Sequence, residues 1–146
     1  MANMSVEGYA GDLTPEETWE ILKSEENAVL IDVRSAAEWA YVGVTDLSSL
    51  GKETATIEWK SFSGGSMVEN PSFIEQVQAA CPNPEAKVLS LCRSGVRSIA
   101  TSKVLTEAGF TQAYNVLEGF EGNKDPADHR GQIGGWKFRG LPWKQN

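Results

Sequence analysis

The sequence has little of what several large classes of protein need. Two cysteines and one histidine occur in 146 residues. Two cysteines do not build a disulfide framework, and no Cys/His spacing here fits a zinc site. No apolar run reaches the ~18 residues that cross a bilayer. Met1-Ala2-Asn3-Met4-Ser5-Val6-Glu7 has neither the basic start nor the apolar centre of a signal peptide, so none is expected. Bases are scarce. Thirteen Lys and Arg face 20 Asp and Glu, a net charge of −7, which argues against a general binder of nucleic acid or anionic membranes. There is no glycine-rich phosphate loop of the Walker type, no internal repeat and no low-complexity tract. No metal or cofactor is expected. The expected setting is a reducing cytoplasm, where a thiol is free for chemical work.

What is present is globular. Forty per cent of the residues are apolar and 23% are charged. The length suits one domain that buries roughly two-thirds of its unfolded surface without staples. Charge is uneven. Residues 1–50 hold ten acids against Lys23 and Arg34, whereas residues 124–146 hold five bases against Asp125 and Asp128. A solvated acidic face and a basic tail are the expected outcome.

Short apolar runs alternate with helical patterns, the signature of βαβ units around a mostly parallel sheet. Thr14-Pro15-Glu16-Glu17 predicts a helix start with a capping box, running to about Ser24. Ala28 to Val33 reads as a strand buried on both faces, interrupted by Asp32. Ser35 caps a short helix to about Tyr41. Gly43 to Thr45 and Thr54 to Trp59 are candidate strands, and Ser61 to Ser66 reads as a loop around Gly64-Gly65. Asn70-Pro71 opens a helix whose Phe73, Val77, Ala80 and Cys81 share a face and which Pro82-Asn83-Pro84 ends. Lys87 to Cys92 reads as a central strand, Ser98 to Ala108 as a helix stopped by Gly109, and Ala113 to Leu117 as a last strand. The segment after Glu118 has no clear pattern.

One stretch carries chemistry. Cys92-Arg93-Ser94-Gly95-Val96-Arg97-Ser98 lies between a predicted strand and a predicted helix, at the carboxyl end of the strand, where open α/β sheets bind ligands. Gly95 permits the positive φ that an inward-facing ring of amides needs, and the following helix points its positive end at the cysteine. Arg93 and Arg97 add positive charge. All of these favour thiolate over thiol. Asp32 interrupts a buried strand and needs a partner. Arg34, on the same side of the strand, Arg97 and loop N–H groups are candidates. Asp32, Arg34 and Glu38 are expected to brace the loop. Cys81 is expected to pack in the core.

The loop resembles the active-site loop of rhodanese-like sulfurtransferases. Leu30-Ile31-Asp32-Val33-Arg34 with Glu38-Trp39 resembles that family's first signature. Asn115 to Phe120, with Gly135-Trp136 and Gly140-Leu141-Pro142, resembles its C-terminal one. The resemblance implies a single rhodanese domain over residues 6–142. Its fold would be α/β, a five-stranded, mostly parallel sheet with helices on both faces. It further implies sulfane sulfur transfer from a donor such as thiosulfate or a persulfide to a thiol or protein acceptor. Cys92 would be the nucleophile carrying a persulfide, and Arg93, Ser94, Gly95, Val96, Arg97 and Ser98 would bind the substrate. A monomer or weak dimer is expected. The alternatives are a non-catalytic binding module, or a cysteine phosphatase or arsenate reductase. Those enzymes place five residues between cysteine and arginine, whereas four separate Cys92 from Arg97. Two departures stand out. Gly43-Val44-Thr45 replaces the family's frequent Gly-His-Ile. Glu121 to Gly134 reads as an insertion, expected to form a surface loop.

Overall fold

The computed structural model describes residues 8–145, without the side chains of residues 62 and 63. The strands are β1 (Gly11–Leu13), β2 (Val29–Asp32), β3 (Val44–Thr45), β4 (Ala55–Thr56), β5 (Lys60–Ser63), β6 (Ser66–Glu69), β7 (Lys87–Leu91), β8 (Gln112–Val116) and β9 (Trp143–Lys144). The helices are α1 (Pro15–Ser24), α2 (Ala36–Tyr41), α3 (Phe73–Ala80) and α4 (Arg97–Glu107). Five strands form one sheet in the order β1-β8-β7-β2-β4, and every pairing in it is parallel.

The local reasons are those the sequence suggests. Thr14 caps α1 through its side chain, which accepts from the Glu17 N–H, while the Glu17 carboxylate accepts from the Thr14 N–H. Ser35 and Glu38 repeat the device at α2. Each box satisfies two amides that a helix start leaves unpaired.

Alternate residues of the strands feed two cores. On one face Ile31, Val33, Val88, Cys92 and Ala113 pack against Phe73 and Val77 of α3 and Leu105 of α4. On the other, Leu13, Leu30, Leu89, Leu91 and Val116 pack against Leu22 of α1 and against Phe120 and Trp136 of the C-terminal segment. Two buried clusters on opposite faces are what a parallel sheet with helices on both sides requires.

Two segments differ from expectation. Residues 61–66 are not a loop. They belong to the β5–β6 hairpin, in which Gly64 and Gly65 form a two-residue turn with φ of +60° and +86°. Paired positive φ at such a turn matches the twist of a hairpin, so the glycines mark its tip. β1 was not expected. It is three residues long and exists by pairing with β8. No helix among the described residues is long and apolar enough to cross a membrane.

Candidate active site

Cys92 follows β7, the central strand, and begins the loop that ends at α4. Its side chain is 1% exposed. Hydrocarbon packs on one side of it. On the other, the Gly95 N–H donates to Sγ at 3.1 Å and the Ser98 N–H at 3.4 Å, with Ser98 Oγ at 3.2 Å. Val96, at the N-cap of α4, makes no side-chain capping hydrogen bond. The sulfur takes the place that a capping oxygen usually holds, at the end of the helix where the dipole favours negative charge. Gly95 sits at φ +97°, so a side chain there would be strained.

The loop is clamped from behind. The Phe120 N–H donates to the Cys92 carbonyl at 2.8 Å, and Glu121 and Gly122 N–H groups donate to the Arg93 carbonyl at 2.9 and 3.1 Å. Gly119, at φ +64°, lies so close that a Cβ would come within 2.5 Å of the Cys92 and Arg93 carbonyls. The segment 121–134 is therefore a surface excursion whose first residues are fastened to the loop. Between them Asp125 closes a turn by accepting from the Ala127 and His129 N–H groups.

The residues expected to brace the loop fall into two groups. Arg97 forks onto Glu38, with Nη1–Oε1 and Nη2–Oε2 both 2.9 Å. Glu38 also accepts from the Ser35 N–H and hydroxyl. Burial pushes the Glu38 carboxyl up, but the hydrogen bonds from Arg97 and Ser35 outweigh it and hold the group at about 2. This pair ties α2 to the start of α4.

Asp32 and Arg34 form a second, fully buried pair, with Nη2–Oδ2 at 2.7 Å and Nε–Oδ1 at 2.9 Å. Of the candidate partners for Asp32, the structure selects Arg34. The same guanidinium donates to the Gly43 carbonyl at 2.7 Å and lies 4.4 Å over the Phe120 ring. The pair reaches the loop through Phe120, whose own amide holds Cys92. Arg93 and Val96 stand out in solvent at the rim, and Ser94 is half-buried.

Sequence reasoning missed Asn115. The sheet register sets Asp12, Asn115 and Ser90 side by side across β1, β8 and β7, and Cys92 lies two residues beyond Ser90 on the same face. Ser98 Oγ donates to Asn115 Oδ1, and Asn115 Nδ2 donates to Asp12 Oδ1 at 3.0 Å. A polar residue fully buried within a strand was the available signal, the same one that singled out Asp32.

Cys81 is at the other end of the sheet, before β7 begins. It is buried in the core, and burial pushes its thiol up. Both cysteines are free. Among the described residues no group of His, Cys, Asp and Glu is arranged to hold a metal ion.

Comparison with known proteins agrees with this fold. Residues 11–146 match the family model described as the STR4 middle domain. The crystal structure of Rv0390 from M. tuberculosis superposes with a TM-score of 0.84 at 51% identity, covering 94% of this chain and 99% of that one. An uncharacterized protein of Rickettsia conorii is 32% identical over 127 residues, 86% of this chain and 90% of its own length. The thiosulfate sulfurtransferase GlpE of Actinobacillus succinogenes is 26% identical over 131 residues, 90% of this chain and 87% of its own length. The parallel five-stranded sheet with its four helices matches the fold of rhodanese-like domains among the solved structures. This chain belongs to the rhodanese-like domain proteins, within the family of the STR4 middle domain. That group of folds includes sulfurtransferases.

Proposed function

We propose that the chain is a sulfurtransferase that carries sulfane sulfur on Cys92. The observation behind this reading is the seat of Sγ, which accepts two main-chain N–H groups at the start of α4. Amides fixed in this way suit a sulfur that bears negative charge both before and after transfer.

The chemistry balances in two steps. The Cys92 thiolate attacks the outer sulfur of thiosulfate. A sulfur–sulfur bond forms on Cys92 as the one within thiosulfate breaks, and sulfite leaves with the bonding pair. A nucleophilic acceptor then attacks the outer sulfur of the Cys92 persulfide. Cyanide departs as thiocyanate, or a thiol departs as a new persulfide, and Cys92 returns as thiolate. No redox partner is needed. Cys92 is almost without exposed surface, so the donor must enter through the loop, at the rim where Arg93 and Val96 face solvent. Arg97 is engaged with Glu38. In this reading it contributes its field and holds the loop in shape, and a donor anion meets a guanidinium already oriented.

Treating the protein with thiosulfate and measuring its mass tests the reading. One added sulfur, removed by cyanide and absent from Cys92→Ser, is expected. No adduct from thiosulfate, polysulfide or a small persulfide would leave a binding module without catalysis.

A further inference from the structure

The direction of the hydrogen bonds beside Cys92 is determined by a residue at the far edge of the sheet. A carboxylate can only accept. Asp12 Oδ1 receives the Tyr9 hydroxyl at 2.9 Å and Asn115 Nδ2 at 3.0 Å. The Asn115 amide group therefore faces Asp12, and its oxygen faces Ser98. That oxygen takes the one hydroxyl proton of Ser98. What Ser98 Oγ then presents to Cys92 Sγ, 3.2 Å away, is a lone pair.

Such a contact is a hydrogen bond only while the sulfur carries a proton. When Sγ is a thiolate, or the inner sulfur of a persulfide, it has only lone pairs to offer. The hydroxyl must then turn from Asn115 to the sulfur. That leaves Asn115 Oδ1, on a residue with no exposed surface, without this donor.

We propose that Asp12 and Asn115 are positioning residues that fix the polarity of the Ser98 hydroxyl, so that it offers Cys92 Sγ a lone pair rather than a proton. The two amides on Sγ favour charge and the hydroxyl opposes it. Arrival of sulfur tips the balance and swings the hydroxyl over. Only this last consequence rests on the sulfur-carrier reading. The polarity itself belongs to four side chains. The charged groups around Cys92 are the Asp32–Arg34, Glu38–Arg97 and Glu118–Arg139 pairs, together with Arg93 and Asp12. Asn115→Leu removes none of these charges; it takes one donor from Asp12, an effect that the Ser98→Ala background shares.

The test uses the full chain and needs no sulfur donor. Thiolate ultraviolet absorbance is followed against pH, with Cys92→Ser as the blank, beside the rate of alkylation by iodoacetamide. Asn115→Leu frees the Ser98 hydroxyl for the sulfur. At neutral pH it is expected to be alkylated about tenfold faster, and its absorbance profile to move about one unit toward acid. In a Ser98→Ala background the same substitution should change nothing. An unchanged or slower Asn115→Leu, or an equal gain without the hydroxyl, overturns the proposal. Should Asn115→Leu not fold, Asp12→Asn serves. Its carboxamide can donate to Asn115, which then turns and donates to Ser98. Loss of the Asp12 charge also acts through space, but it does so equally in Ser98→Ala. Only the part of the gain that requires Ser98 counts, and its absence overturns the proposal. Failure of the sulfur-carrier reading would show in the thiosulfate experiment and leave these rates untouched.

Discussion

Two buried polar clusters lie on opposite faces of one sheet, and they are built to different ends. On the face covered by α1, Asp32 and Arg34 neutralise each other, and the guanidinium is closed in by the Gly43 carbonyl and the Phe120 ring. On the face covered by α3 and α4, Asp12, Asn115 and Ser98 form a file that ends on Cys92, a group that can gain or lose a proton. The first cluster has one arrangement. The second, on our proposal, has two, which differ by the rotation of one hydroxyl. A buried ion pair suits a framework that must not move, whereas a hydroxyl and an amide backed by one carboxylate leave a hydroxyl free to turn.

Asp32→Ala breaks the rigid side of this contrast most severely. It leaves a guanidinium with no exposed surface and no counter-ion, and is expected to cost about 3–5 kcal/mol in denaturant unfolding. A loss below about 1 kcal/mol would mean that Arg34 finds other acceptors. Gly119→Ala comes next. It forces a side chain into the Cys92 and Arg93 carbonyls at a positive φ and is expected to cost about 1–3 kcal/mol. Sulfur loading of Cys92 should fall further than stability does, because the clamp holds the loop.

Glu38→Gln is milder. Its pair with Arg97 is partly exposed, and solvent screening limits the expected loss to about 1 kcal/mol at neutral pH. The sign of its pH dependence is fixed. The folded carboxyl titrates at about 2, below its ordinary range near ~4.3, so the stability it contributes is present above that range. It is lost as pH falls from about 4 to about 2. Thermal melts of the parent and Glu38→Gln should converge across that interval. A constant gap would show that the carboxylate charge is not what matters. Smallest is Ser90→Ala. The Ser90 hydroxyl, next to Asn115 in the same row, is buried without a partner among the described residues. Its removal is expected to stabilise the protein by up to about 1 kcal/mol in the same melts, and a loss would reveal a bond that Ser90 makes to the file.

The rigid cluster was more legible than the switchable one. Asp32 and Arg34 stand two apart in an apolar strand, so their shared face follows from the period of the strand. The capping box at Thr14 and the cap at Ser35 are local and were readable for the same reason. Asn115 meets Asp12 across 103 positions, a distance no periodicity spans. β1 is invisible in isolation because its pairing with β8 creates it. The β5–β6 hairpin escaped because polar residues flank its glycines, leaving no alternation to read. The loop from Cys92 to Ser98 was legible as a site because the strand before it and the helix after it are both strongly patterned. The partners of Arg97 and Ser98 come from α2 and β8, and only the fold brings them near.

The clamp behind the loop also orders events during synthesis. Residues 119–122 secure the Cys92 and Arg93 carbonyls, yet they follow the cysteine by nearly thirty positions. A nascent chain that has emerged from the ribosome only as far as β8 carries the thiol but not the backing that shapes its cradle. The seat of Cys92 is thus completed only after all five strands of the sheet that bears it have emerged.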